Sequence, residues 1–229
     1  MTYVLSYIHG DYEKYRKMLA VIHFSGNDEL FVLGDVIDRG EDGVKILFDM
    51  MMYANILPLV GNHEFTAAMC LPWLLEEITE RSLERLSVEK FTALNDWILN
   101  GGAPTLRSLQ KLSRDDREII LDYIADMEFY EEAEIEGKKF VLTHSGIDNF
   151  EIGKPLDEYS PMDFLFFRPD EQTEFYPDKT VIFGHTPTRI LCGEDRILRG
   201  GSWIDIDCGC GGNGKLGCLR LDDMREFYI

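Results

Sequence analysis

Basic residues are scarce in this 229-residue chain: 23 Lys and Arg stand against 42 Asp and Glu, a formal net charge of −19. A surface field of that sign repels nucleic acid and anionic lipid, so neither is an expected partner. Phosphorylated substrates stay open, because a metal ion or a few local arginines can invert the potential inside one pocket. Cysteine is also sparse. Cys70, Cys192, Cys208, Cys210 and Cys218 are odd in number and form no C-x-x-C pair, which argues against a disulfide framework or a zinc knuckle. They are expected to be reduced and packed in strands as small hydrophobes. No run approaches about 18 uncharged apolar residues, and the stretch from Met1 to Tyr15 lacks the regions of a signal peptide, so a cytoplasmic protein is expected. Internal repeats, low-complexity segments and Pro/Ser-rich linkers are absent too, so one domain over residues 1–229 is expected. With 45% hydrophobic and 28% charged residues, the chain has ordinary globular composition and can bury a core.

What is present is an alternation of strands and helices. Thr2 to Ser6 is a short apolar strand, and Tyr15, Met18, Leu19 and Ile22 then fall at helical spacing. Glu29 to Leu33 predicts a strand, Gly43 to Met52 a helix, Ile56 to Val60 a strand, and Phe65 onward a helix. Such alternation implies parallel strands with helices packed on the sheet. From about 71 to 126 the period is helical, with a break expected at Asn100-Gly101-Gly102-Ala103-Pro104, and this segment is expected to be a helical insertion. Its charge run from Glu76 to Glu89 is simplest as a solvated helix face. Beyond it, Phe129 to Ile135 and Lys138 to Thr143 flank the hairpin signal Glu136-Gly137, and short strands are expected at Val181 to Phe183, Trp203 to Ile206 and Leu216 to Leu221.

The strands end in polar clusters: Ile8-His9-Gly10-Asp11, Gly34-Asp35-Val36-Ile37-Asp38-Arg39-Gly40, Gly61-Asn62-His63-Glu64, Thr143-His144-Ser145-Gly146 and Gly184-His185-Thr186-Pro187. Ligands of open α/β sheets bind at the carboxyl ends of strands, so these clusters can converge on one site. Imidazole and carboxylate suit Mn, Fe and Zn, and a bridging carboxylate can hold two ions. Four of the five histidines fall in these clusters, leaving His23 for a helix end. Gly209 to Gly214 matches a glycine-rich phosphate loop by count, but a strand follows where a helix is required, so a turn is expected.

This set resembles the calcineurin-like metallophosphoesterases, specifically the phosphoprotein (serine/threonine) phosphatase branch of bacterial and phage type, with its GD-x-x-DRG and GNHE motifs complete. Ile204-Asp205-Ile206-Asp207-Cys208-Gly209 stands where that family has a strand ending in Asp-Thr-Gly. The resemblance implies an α/β sandwich of two mixed sheets flanked by helices. It implies two divalent ions, Mn first and Fe or Zn as options, with Asp35 bridging, His9 on the first ion, and Asn62, His144 and His185 on the second. His63 would be the general acid, oriented by Asp38. Arg39 and Arg168 would bind phosphate oxygens, beside Asn62. The implied function is hydrolysis of phosphate monoesters on a phosphorylated protein or a small phosphoester; a symmetrical dinucleoside tetraphosphate hydrolase is the alternative.

One residue departs from the pattern. The family's first motif is Asp-x-His-Gly, and here it reads Tyr7-Ile8-His9-Gly10. A neutral phenol is a poor ligand for a hard divalent ion, so the first metal site is expected to be weak or empty. Four readings stand open: an engineered or cloning change, natural loss of a metal, a phenolate on ferric iron, or rescue by Asp11, which as a helix cap has an ordinary role. Tyr7 also supports a reading of another class, a catalytically silent protein that binds phosphorylated partners.

Overall fold

A computed structural model of the chain describes residues 1–76, 79–80, 87–170 and 172–229. Strand β1 (Thr2–Leu5) alternates its side chains between two apolar environments, which is the period of a strand covered on both faces. It pairs in parallel with β2 (Glu29–Val32), and β2 with β3 (Ile56–Pro58). Helices α1 (Tyr12–Val21) and α2 (Gly43–Met51) connect them. After β3 come α3 (Asn62–Leu74), α4 (Val88–Trp97), α5 (Ala103–Gln110) and α6 (Arg114–Ala125). Then β4 (Tyr130–Ile135) and β5 (Lys138–Thr143) form an antiparallel hairpin. Glu136 (φ 51°) and Gly137 (φ 73°) both take left-handed backbone at its turn, as a two-residue hairpin of the favoured hand requires. The chain continues through β6 (Thr180–Phe183), α7 (Arg189–Cys192), β7 (Leu198–Arg199), β8 (Trp203–Asp205), β9 (Gly217–Arg220) and β10 (Arg225–Tyr228).

The strands build two mixed five-stranded sheets, ordered β10-β9-β1-β2-β3 and β4-β5-β6-β8-β7. Val4, Phe31, Leu33, Phe140, Leu142, Ile182, Ile204 and Leu219 fill the space between them. Leu5 and Val32 face the other way, onto Tyr15, Met18, Ile46, Leu47 and Trp97 of the helical layer. On the outer face of the second sheet, Val141, Val181, Phe183 and Trp203 pack with Phe164 and Phe175. The two-sheet α/β sandwich is thus as expected. In each sheet the parallel strands, β1-β2-β3 and β5-β6-β8, end at one rim, where the five polar clusters meet.

Several local readings change. Helix α3 starts at Asn62, not Phe65, because Gly61 takes the cap position in extended backbone (φ −96°, ψ 171°) and Glu64 reaches back to the Gly61 N–H at 3.0 Å. The break expected at Asn100 to Pro104 is present as a kink: Gly101 (φ 108°) leaves helical backbone within a wide turn at Ile98–Gly102, and Pro104 sits in the first turn of α5, where its missing N–H is not needed. Of the cysteines, only Cys218 lies in a strand; Cys70 is in α3, Cys192 in α7, and Cys208 and Cys210 follow β8, all as free thiols. Strands β7 and β10 and helix α7, too short or too mixed in pattern to read, are additional. Much of the charge run from Glu76 to Glu89, residues 77–78 and 81–86, lies outside the described residues. No described helix is long and apolar enough to cross a membrane.

Candidate metal centre and active site

The rim loops are stitched together by backbone. His9 and Gly10 donate to the carbonyls of Asp35 (2.9 Å) and Val36 (2.8 Å), and Gly40 returns a bond to His9 (3.0 Å). Six site residues take left-handed backbone: Tyr7 (φ 62°), His9 (46°), Asp35 (55°), Asp38 (69°), Arg39 (64°) and His185 (68°). Each such position costs a non-glycine residue about 1–2 kcal/mol, and strain concentrated this way marks a functional site. Glu64 holds the loop that carries three of them: its carboxylate, buried in α3, accepts the N–H groups of Asp35 (2.8 Å), Val36 (2.8 Å), Ile37 (3.1 Å) and Gly61 (3.0 Å). Burial, then the Asp35 charge, push the Glu64 carboxyl up to about 7 against those donors.

Asp35, Asn62, His144 and His185 converge on one point. His144 Nδ1 lies 2.7 Å from the Leu33 carbonyl, which fixes the proton there and leaves the Nε2 lone pair free. That lone pair faces Asn62 Oδ1 at 3.0 Å, His185 Nδ1 at 3.2 Å and Asp35 Oδ1 at 3.5 Å. Acceptors gathered at these distances repel unless a cation stands among them, so the residues fit a divalent ion. Burial, aided by the neighbouring His144, lowers His185 to about 3, and burial likewise lowers His144. Burial opposes ionisation of Asp35, but the rings of His144, His63 and His9 overcome it and hold this carboxyl well below the usual range.

Asp35 also belongs to a second ligand group, with His9 and His63. His9 Nδ1 is held by the Ile37 carbonyl at 2.9 Å. Its Nε2, 3.5 Å from Asp35 Oδ2, is buried with no hydrogen-bond partner, as is Asp35 Oδ2 itself. Two orphaned ligand atoms aimed at each other suit a cation here as well, but the expected carboxylate is missing. Tyr7 stands beside them, 5% exposed, its ring edge-on to His9 at 4.3 Å between centroids. Its hydroxyl takes a hydrogen bond from Arg39 Nη1, and the guanidinium carbon lies 4.9 Å from its ring centre. Burial, then the Asp207 charge, push this phenol above its ordinary value against the pull of Arg39, which disfavours a phenolate ligand. Asp11 is the cap of α1, accepting the Lys14 N–H at 2.9 Å and pairing with the Lys14 ammonium at 3.2 Å; it is not in the ligand groups.

His63 Nδ1 lies 2.7 Å from Asp38 Oδ2, and its Nε2 is 3.5 Å from Arg39 Nη2. Burial pulls this ring down; the charges of Asp35 and Asp38 and the Asp38 hydrogen bond outweigh it, so His63 titrates above its ordinary value. A cleft of about 240 Å³ opens beside it, lined by Asn62, Thr66, Asp96, Asn100 and Phe166, the last 44% exposed. Arg168 reaches the same rim, its Nη1 3.3 Å from Thr186 Oγ1. Every residue singled out from the sequence is therefore at the rim, with Tyr7 and Arg39 locked to each other. Sequence reading missed Glu64, whose Glu-after-His spelling was visible without its purpose, and Asp207, buried after β8 with an unpartnered Oδ2. The turn at Cys210–Gly212 is confirmed, and it lies so close to His9 that a Cβ on Gly211 would fall 2.2 Å from the ring.

Residues 2–189 match the family model described as calcineurin-like phosphoesterase. A symmetrical bis(5′-nucleosyl)-tetraphosphatase of Proteus mirabilis is 23% identical, aligned over 99% of this chain and 96% of that protein. One of Wigglesworthia glossinidia brevipalpis is 39% identical over 27% of this chain and 24% of its own length. Among solved structures, a protein provisionally described as a diadenosine tetraphosphatase superposes with a TM-score of 0.66 at 14% identity, covering 100% of this chain and 92% of that one. A Saccharomyces cerevisiae serine/threonine phosphatase similar to human PP5 gives 0.56 at 14% identity, covering 100% and 78%. These structural likenesses carry the fold.

Proposed function

The chain belongs to the calcineurin-like phosphoesterase family, and from that premise we propose that it is a metal-dependent phosphohydrolase whose preferred substrates are symmetrical dinucleoside tetraphosphates. The observation that carries the chemistry is the His63–Asp38 pair, set beside two groups of ligand atoms that share Asp35. Asp35, Asn62, His144 and His185 would hold one divalent ion, and His9 with Asp35 a second, weaker one. Bound divalent ions supply a nucleophile from water at neutral pH and neutralise phosphate charge. The protein does the rest with its own groups. Asp38 keeps a proton on His63 Nδ1, so that Nε2, in the imidazolium favoured by the surrounding carboxylates, gives its proton to the departing oxygen. Arg39 and Arg168 offer forked donors to phosphate oxygens, and the exposed ring of Phe166 offers a face on which a base can stack.

The motif spelling favours a phosphoprotein phosphatase, whereas relatives aligned over nearly their whole length are named as tetraphosphatases; the latter supports the substrate proposed. The test is a panel of diadenosine tetraphosphate, a phosphothreonine peptide and p-nitrophenyl phosphate, each with Mn²⁺. We expect kcat/KM on the tetraphosphate to exceed that on the peptide by about tenfold or more, with ADP as the product. The reverse order makes the chain a protein phosphatase. A second reading, a silent phosphate-binding protein, is favoured by Tyr7 alone; it requires no turnover on any of the three.

A further inference from the structure

Asp38 is more tightly held than the motif suggests. Trp97, at the end of α4 and 1% exposed, donates its Nε1–H to Asp38 Oδ2 at 2.8 Å, the same oxygen that faces His63 Nδ1. Thr105, in the first turn of α5 and 3% exposed, donates its hydroxyl to Asp38 Oδ1 at 2.6 Å and accepts the Asp38 N–H at 3.0 Å. The turn between them accepts the Arg39 N–H on the Gly101 carbonyl at 2.8 Å, and only left-handed backbone at Gly101 (φ 108°) aims that carbonyl there. All three contacts come from about 60 residues downstream of the motif they serve, from a helical segment to which the sequence assigns no catalytic part.

These bonds leave Asp38 few choices. An indole N–H can only donate and a hydroxyl has one proton to give, so both carboxylate oxygens are occupied as acceptors in one orientation. With Oδ2 shared between the indole and the imidazole, His63 must present Nδ1–H to Asp38 and turn Nε2 to the site. We propose that Trp97 and Thr105 are positioning residues for the general acid: they fix the Asp38 carboxylate and, through it, the tautomer and ring angle of His63. The inference rests on the reading of His63 as the acid.

The test uses the full chain and three conservative variants. Trp97→Phe keeps the ring and removes the N–H; Thr105→Val keeps the shape and removes the hydroxyl; Thr105→Ser restores it. Long-range ¹H–¹⁵N spectra of the histidine rings report the His63 tautomer without turnover. At a pH high enough for the ring to be neutral, the wild type should show a single Nδ1–H form, Trp97→Phe and Thr105→Val a mixture, and Thr105→Ser the wild-type form again. In turnover with Mn²⁺, each of the first two variants should lose about tenfold or more in kcat on phenyl phosphate, whose leaving group needs a proton, and less than about twofold on 2,4-dinitrophenyl phosphate, whose leaving group does not. Unchanged spectra, or equal losses on the two esters, overturn the positioning role. A wild type that lacks the Nδ1–H form, or a His63→Ala variant that loses equally on both esters, overturns instead the assignment of His63 on which the inference stands. Because the two substitutions act at opposite oxygens of Asp38, a variant that fails to fold leaves the other to decide.

Discussion

Replacing Tyr7 by aspartate tests the reading of the centre most sharply. The substitution removes a buried ring, at about 3 kcal/mol for an aromatic, and recovers about 1 kcal/mol because aspartate tolerates left-handed backbone better than tyrosine. The metal-free variant should therefore unfold about 2 kcal/mol more easily than the metal-free wild type, and the new carboxylate joins Asp35 in facing His9 without a cation. Metal reverses the order. If the variant's first site binds Mn²⁺ and the free metal is set at about 100 times its Kd, linkage adds about 2.7 kcal/mol, or about 5–11 °C in Tm at 2–4 °C per kcal/mol for a chain of this size. The wild type, with only His9 and Asp35 at that site, should gain the corresponding increment for one ion, at the His144 and His185 end. The assay is elemental analysis after desalting together with thermal unfolding with and without Mn²⁺: one ion per wild-type chain, two per variant chain, and the larger thermal response in the variant. Two ions in the wild type, or a variant whose response is no larger, refutes the argument that a phenol empties the first site.

Two further outcomes follow from the same geometry. Burial lowers His9, His144 and His185, the last to about 3, so the neutral ligand forms persist to pH values below that of an ordinary imidazole and protons compete with metal only there. Calorimetric Mn²⁺ affinity should be nearly flat from about pH 8 to about pH 6; a steep loss across that span requires an unshifted or raised ring. Glu64→Ala leaves four backbone N–H groups without their acceptor; at about 1 kcal/mol each, urea unfolding should show a loss of about 4 kcal/mol, and a loss below about 1 kcal/mol removes Glu64 from its role as the clamp of this loop.

The sandwich and the convergence of its loops were legible because the signals are local. Strand length, helical spacing and Gly, Asp or His at each strand end are all carried by neighbouring residues, and the structure brings His9, Asp35, Asn62, His63, His144 and His185 together at one rim. The start of α3 was misplaced because its cap is Gly61, which has no side chain to announce it; the bond that makes the cap belongs to Glu64. The break between α4 and α5 was legible because glycine and proline disrupt helices locally, and one left-handed glycine, Gly101, makes the kink. Trp97 and Thr105 could not be found at all from pattern. A tryptophan at an apolar helix position is explained by the core it fills, and its one N–H makes no mark on periodicity. Contacts between Asp38 and residues about 60 positions away are a property of packing.

Charge explains why residue 7 and the metal count belong together. A chain with a net charge of −19 also buries Asp35, Glu64, Asp205 and Asp207 at this rim. Burial pushes the carboxyls of Glu64, Asp205 and Asp207 up. Asp35 alone is held ionised, by the imidazoles around it, and it is the residue common to both ligand groups. The positive groups, Arg39 and Arg168, stand exposed at the mouth. The ionised carboxylate thus sits where a cation would go, with the guanidiniums at the mouth above it. An aspartate at position 7 would add a second fixed negative charge and so demand a second cation. Tyrosine adds none, fills the space with a ring, and keeps Arg39 turned toward His63. Tyrosine at position 7 therefore lowers the fixed negative charge beside Asp35.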